Sequence, residues 1–292
     1  MLLDSIDYTI LALGSAFFSA VSNILARTIL KDIKTKNILG LNFLLMTGIL
    51  ALFSPWFFKI NISFKYADTY PVTILLVLLI GIIDLIANYF YFKSFENSEA
   101  SVVTPILSLS PGFIFVFSWF FLDDIVNYVQ IIFACLIIIG IIFISTDLKD
   151  IKSLKKSNTS SSLIASLLFA LSAIPTKYLL SNEFINAPTL YEIRGAIIGL
   201  FAIMFFGSGI EEMKSYHFRY LFVRSLFVII QWLLLYAALI KGSAGISYTL
   251  ANTTPIFVII LGVFFLKEKL SLRKIIATVL VLILAMMINL MN

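Results

Sequence analysis

Apolar runs of about 20 residues alternate with short polar breaks along the whole chain, and each run is continuous rather than alternating residue by residue. About 20 mostly apolar residues span the hydrocarbon of a bilayer as a helix. The period-two pattern of a barrel strand is absent, and the runs are too long for strands. Ten runs are read, at about 8–30, 37–58, 71–92, 100–122, 128–146, 162–180, 189–208, 219–240, 244–266 and 272–291. The breaks carry loop chemistry. Lys31-Asp32-Ile33-Lys34-Thr35-Lys36 follows the first run, and Lys59 to Tyr70 follows the second, with Pro71 opening the third. Asp147 to Ser161, rich in lysine and serine, is the longest break and the natural midpoint. Little chain is left to build a soluble catalytic domain. The first run follows Asp4 and Asp7 instead of positive charge and is long for a signal core, so it reads as a retained helix.

The two halves repeat one pattern. Displacing the chain by 150 places lays Ser22, Ile24 and Arg27 over Ser172, Ile174 and Lys177. Displacing it by 144 lays Ser108 and Pro111 over Asn252 and Pro255, and Phe120 to Asp124 over Phe264 to Glu268. The expected organisation is a first five-helix repeat at 1–147, a polar linker at 148–161 and a second repeat at 162–292. An odd number of crossings per half turns the second half over, which puts a pseudo-two-fold axis in the membrane plane. The fold class predicted is an all-α membrane protein, ten transmembrane helices in two inverted five-helix repeats. Loop charges agree with the inversion. Asp123 and Asp124 follow the fourth run, whereas Lys267, Lys269, Arg273 and Lys274 surround the matching corner. Of the 21 Lys and Arg residues, 16 fall on one side and five on the other. Cytoplasmic loops carry the excess, so the linker is expected inside and both termini outside.

Composition narrows the class. The chain is 61% hydrophobic and 13% charged, against about 25% charged for a soluble domain. This excludes a soluble enzyme, a nucleic-acid module and a disordered chain. The net charge of +5 reports lysines at the cytoplasmic face. One cysteine, Cys135, and one histidine, His217, exclude a disulfide framework and a multi-histidine metal centre, and no cofactor is expected. No His-Glu-x-x-His, Gly-x-Ser-x-Gly or phosphate-loop pattern occurs. His217, beside a loop, reads as incidental.

An ionisable residue inside a span is a functional-site hypothesis by default. Asp84, Asn88 and Tyr91 recur at helical spacing, so one face of the third run is polar. Asp84 there binds a cationic group or a proton, or it is a structural acid tied to Arg224. Glu192 and Arg194 lie two apart in the seventh run and point in different directions. Arg194 holds a carboxylate or phosphate bidentately, or it packs and snorkels. Arg27 and Lys177 snorkel to headgroups or line the two mouths of a pathway. The eighth run offers Gln231, Trp232 and Tyr236; the ninth offers Tyr248 and Asn252 on one face. Thr104, Pro105, Ser108, Pro111 and Pro255 interrupt the fourth and ninth runs, and a broken backbone is tolerated in lipid only where protein or water satisfies it. The candidate substrate-binding set is therefore Ser22, Asp84, Asn88, Tyr91, Ser108, Trp232, Tyr236, Tyr248 and Asn252, with Asp84 and Arg194 as candidate coupling or anion contacts; ordinary interhelix packing is the alternative for each. Asn127 and Ser271 read as N-caps.

The basic residues late in the first and sixth runs, the prolines of the fourth and ninth, and the Leu266-Lys267-Glu268 corner resemble the EamA family of the drug/metabolite transporter superfamily. The resemblance covers nearly the whole chain. Arg194 matches an arginine often found in the second helix of each repeat, while the first repeat is apolar near Leu45 and its corner carries Asp124 in place of Glu. The resemblance implies a small metabolite, such as an amino acid, exported or exchanged. For many members it also implies both termini inside, opposite to the charge count.

The reading is a multi-pass secondary transporter of the cell (inner) membrane. Its partners are a small-molecule solute, the lipid bilayer and a coupling proton, with no nucleic acid, as a monomer or homodimer. Three rivals remain, of which the first two are a broad cationic drug exporter, suggested by Asp84 and the aromatics, and an intramembrane lipid-modifying enzyme. A structural or sensory membrane protein is a third.

Overall fold

The computed structural model describes residues 6–30, 32–58, 60, 70–97, 107, 109–122, 127–145 and 159–257, with isolated positions at 261, 276, 279, 280, 283, 284 and 287. The helices are α1 (Tyr8–Leu30), α2 (Thr35–Ala51), α3 (Tyr70–Asn97), α4 (Ser110–Phe121), α5 (Tyr128–Ser145), α6 (Thr159–Ser181), α7 (Ala187–Phe206), α8 (Ser215–Lys241) and α9 (Ala244–Ala251), with a single turn at Ser54–Phe57 and a 3-10 turn at Ile210–Glu212. The only β pairing among the described residues is one antiparallel bridge between Ile60 and Ile185. Helices α1, α3, α6, α7 and α8 are long and apolar enough to cross a membrane; α2, α4 and the Ile131–Gly140 part of α5 are apolar and shorter. The 17 residues of α2 rise about 26 Å, close to a bilayer's roughly 30 Å of hydrocarbon. Most of the linker, the Asp123–Asp124 and Leu266–Glu268 corners and most of the tenth run, with Ser271, lie outside the described residues.

Local chemistry sets the ends. The Asn186 side chain accepts the Thr189 N–H at 3.1 Å and Pro188 occupies the first turn of α7. Asn127 accepts the Val129 N–H at 3.0 Å, acting as the expected N-cap of α5. The ninth run breaks at Asn252–Thr253, just before Pro255, and α4 begins at Ser110, just before Pro111. These are the two positions that the 144-place displacement superposes. The carbonyls around the break are satisfied within protein, as lipid demands. The Asn252 amide donates to the Tyr248 carbonyl at 2.9 Å, the Thr253 hydroxyl to Leu250 at 2.7 Å and the Thr254 hydroxyl to Ala251 at 3.0 Å.

Helices of the two halves interleave. Tyr8 lies on Gly242, Gly14 faces Leu234, and Ile29 shares an apolar cluster with Leu221, so α1 runs antiparallel to α8. Helix α2 runs antiparallel to α7, with Gly40 against Ile203, Leu44 against Gly199 and Thr47 against Gly195. Small residues let the two backbones approach closely, the usual device where lipid supplies no hydrophobic drive between helices. Exchanging each helix for its counterpart in the other half turns the α1–α8 pair into α6–α3, α1–α9 into α6–α4 and α2–α8 into α7–α3. All of these pairs are present, and α2–α7 and α4–α9 map onto themselves.

Two loop latches close opposite ends of α2. At one end the Asn186 amide donates to the Phe57 carbonyl at 2.6 Å beside the Ile60–Ile185 bridge. At the other, Gly209 turns with φ 60° against Asn37, where a Cβ would stand 2.6 Å from the Asn37 Cα; only glycine fits that turn. The Tyr216 hydroxyl donates to Asp32 at 2.7 Å, and His217 Nε2 lies 3.3 Å from the same oxygen. His217 Nδ1 accepts the Lys214 N–H at 3.0 Å, so its proton sits on Nε2 and points at Asp32. His217 is thus buried and bonded on both nitrogens, not incidental.

The hydrogen bond from Tyr216, then that from His217, holds the Asp32 carboxyl below its ordinary value of 3.8. A depressed carboxylate stabilises the fold above its unfolded pKa and loses that contribution as pH falls through the folded one. The contribution of the carboxylate to the latch is therefore expected to be lost as pH falls through the carboxylate range. Asp32→Asn should loosen it at neutral pH. Amide hydrogen exchange at residues 33–37 reads both; equal exchange in Asp32→Asn and the parent at pH 7 would show that the carboxylate charge contributes nothing.

Candidate functional site

The interior faces of α3, α7 and α8 meet around two charges. Asp84, midway along α3, is fully buried, and Arg194 of α7 is 2% exposed. Arg194 Nε stands 2.5 Å from Asp84 Oδ2. The contact is one of charge more than of alignment, because Nε and both Asp84 oxygens lack a hydrogen-bond partner of good geometry. Ser172 of α6 adjoins the carboxylate. Arg194 Nη1 donates to the Tyr236 hydroxyl at 2.6 Å. Its guanidinium carbon lies 4.2 Å from the centre of the Trp232 ring and 6.0 Å from that of Tyr191. Tyr191 and Trp232 stack with centroids 6.1 Å apart, and Tyr236 stands edge-on to both. The Tyr191 hydroxyl reaches Met46 Sδ of α2 at 3.4 Å. A ring face offers a cation about 0.5–1 kcal/mol at an exposed site and about 2 kcal/mol when desolvated. The result is a carboxylate–guanidinium pair in an aromatic box, built from α3 of the first half and α7 and α8 of the second.

Of the residues expected at a site, Asp84, Arg194, Trp232 and Tyr236 come together here, and Tyr248 packs into the same buried cluster as Tyr191 and Tyr236. The partner of Asp84 is Arg194, not Arg224. Arg194 is buried and paired, so it does not snorkel. Asn88 turns along its own helix and donates to the Asp84 main-chain carbonyl at 2.8 Å; Asn252 closes the helix break. Ser108 and the side chain of Arg27 lie outside the described residues, as do Thr104 and Pro105. Lys177 does not reach for headgroups. Its ammonium donates to the carbonyls of Leu239 at 3.2 Å and Gly242 at 2.5 Å and so closes the C-terminal end of α8.

The polar face of α3 divides between two levels. Tyr91, two turns from Asp84, donates to Asn23 Oδ1 at 3.2 Å, and Ser22 donates to the Ser19 carbonyl at 2.9 Å and to Gln231 Oε1 at 3.3 Å. At this second level Arg224 Nη1 donates to Asn42 Oδ1, and its guanidinium lies 5.8 Å from the Phe92 ring. Tyr191, Asn42, Asn23 and Met46 escaped the sequence reading. Tyr191 had one legible signal, its position three residues before Arg194 on the same helical face. Among the described residues no group of three His, Cys, Asp or Glu side chains is placed to hold a metal.

A bundle of apolar, membrane-length helices with a buried ion pair midway along them defines a multi-pass membrane protein. The sequence pattern of the EamA-like transporter family matches residues 8–146 and 160–290, so the chain belongs to the EamA-like transporter family as two tandem repeats. An uncharacterized protein of Methanocaldococcus jannaschii is 37% identical over 73 residues, 25% of this chain and 53% of that one; the match thus takes in about half the length of that relative. A solved crystal structure superposes with a TM-score of 0.72 at 12% identity, over 97% of this chain and 96% of the other, a likeness of fold.

Proposed function

We propose that this chain is a secondary transporter that moves a small metabolite, an amino acid or related solute, by alternating access between two inverted repeats, as an exporter or exchanger in the cell membrane. The observation that carries the reading is the Asp84–Arg194 pair in its aromatic box. It is a buried, electrically balanced polar centre contributed by both halves, where transporters of this architecture place their sites. Inversion is supported by the antiparallel α2–α7 pair. If those two helices are counterparts, a two-fold relating them lies perpendicular to their axes, hence in the membrane plane. The two latches, at opposite ends of α2, suit gates that open in turn. A cationic drug exporter is less well supported, because Arg194 already neutralises the carboxylate such a cargo would need. A lipid-modifying enzyme would want its polar cluster at headgroup depth, whereas Asp84 sits mid-helix.

Counterflow into proteoliposomes tests the reading. Preloaded amino acids and small organic acids should drive uptake of the labelled species, and Trp232→Ala should reduce it at least tenfold through KM. No counterflow with any of these solutes would remove the proposal. The charge count further places the Lys149–Lys156 segment in the cytoplasm. A reporter at Ser157 should be active only as a cytoplasmic fusion and one after Asn292 only as an exported fusion; a cytoplasmic C-terminus reverses the orientation.

A further inference from the structure

The two arginines buried in the bundle among the described residues are treated differently. Arg194 has a carboxylate at 2.5 Å. Arg224, 7% exposed, has none within ion-pair reach among the described residues. Its Nη1 meets the neutral amide of Asn42, Phe92 lies beside it, and its Nε has no hydrogen-bond partner. It is not a lipid-facing residue reaching for a headgroup. It shares the buried face of α8 with Leu221, Ser225 and Val228, while Phe222, Val223 and Leu226 face outward. Nine residues separate it from the start of α8, about 14 Å along the axis. Buried charges in proteins are paired or coordinated, and a guanidinium with a vacant N–H edge matches a carboxylate.

We propose that Arg224, positioned by Asn42, is the anion subsite of the transport pathway and takes the carboxylate of a small organic monoacid. This rests on the transporter reading. Among the described residues Arg224 is one uncompensated positive charge, which matches one negative charge; a phosphate dianion would leave the layer with a surplus. The body of the acid would lie toward Trp232, eight residues on along α8 and about 12 Å away, with Phe92 and Tyr91 as walls. The Asp84–Arg194 pair beyond is already balanced, so it sets no demand for a second charge on the solute. The sequence alone does not expose this subsite: Arg224 and Asn42 are 182 residues apart, and the meeting of a guanidinium with an amide is a property of the packing.

The test uses the full-length protein in detergent, in a carboxylate-free, low-chloride buffer, with benzoate as the probe and chloride and tetraethylammonium as controls. Benzoate should raise Tm by several degrees, and chloride and tetraethylammonium by less than one. Arg224→Met should abolish the benzoate shift and melt no lower than the parent without ligand, because it removes an uncompensated charge. Asn42→Asp sets a carboxylate against Arg224 Nη1; it should raise the ligand-free Tm and also abolish the shift. This second variant decides the matter if Arg224→Met fails to fold. No benzoate shift in the parent, an equal shift with chloride, or a shift that survives in Asn42→Asp overturns the subsite. Labelled benzoate uptake separates the two readings. Binding without uptake would sink the transporter reading and leave the subsite, and uptake undiminished in Asn42→Asp would sink the subsite and leave the transporter.

Discussion

Asp84→Asn is expected to destabilise the protein by about 3–5 kcal/mol, because it strands the Arg194 guanidinium in a layer where both side chains are almost fully buried. Removing both charges should behave differently. Asp84→Leu with Arg194→Met replaces the pair by apolar groups of similar volume, an exchange that is often neutral or stabilising by about 1–4 kcal/mol. Transport should be lost in the double variant as well as in the single one, since the double variant keeps the fold and deletes the polar centre. Unfolding in detergent followed by near-ultraviolet circular dichroism, together with counterflow, reads the two effects separately. A single variant as stable as the parent would mean that Asp84 and Arg194 do not depend on each other. A double variant that transports at the parental rate would take the centre out of the mechanism.

The second large effect belongs to the α2–α7 crossing. A Cβ on Gly199 would stand 2.6 Å from Leu44 Cδ2 and 2.9 Å from the Leu44 backbone nitrogen, and the backbone cannot rotate away. Gly199→Ala should cost about 1–3 kcal/mol through overpacking, and Gly199→Leu more. Gly48, on α2 itself, is an internal control. A Cβ there meets nothing within 4 Å, so Gly48→Ala should stabilise by about 0.5–1 kcal/mol through backbone entropy alone. Thermal unfolding of the two alanine variants should shift in opposite directions. A shift of the same sign in both would mean that the crossing is looser than the structure shows. Gly195 and Gly199 stand four apart, the small-xxx-small spacing of a close membrane-helix contact, and that signal was present in the sequence.

The helices themselves were legible before any coordinates. Alternation between apolar runs and lysine-bearing breaks marks α1, α3, α6, α7 and α8 within a few residues, because a backbone in lipid has no partner for its amides except its own helix. The breaks before Pro111 and Pro255 were legible for the same kind of reason, since proline removes a donor wherever it stands. Even the two charges of the polar centre, Asp84 and Arg194, could be named singly, because an ionisable group in an apolar run is costly in lipid and so stands out as a candidate.

Only the tertiary structure decided which of those groups meet. Asp84 is 110 places from Arg194 in the chain, and nothing local distinguishes Arg194 from Arg224 as its partner; the register of α3 against α7, set where Gly81 admits Ile197, makes the choice. The same packing gives Lys177 to the carbonyl end of α8, turns Asn88 onto its own helix and leaves Arg224 with an amide where Arg194 has an acid. A one-dimensional pattern reports how each residue relates to water and lipid, which is a property of its own run. Pairing is a property of two runs at once, fixed by which small residues let which backbones approach, and that is settled only when the helices are packed together.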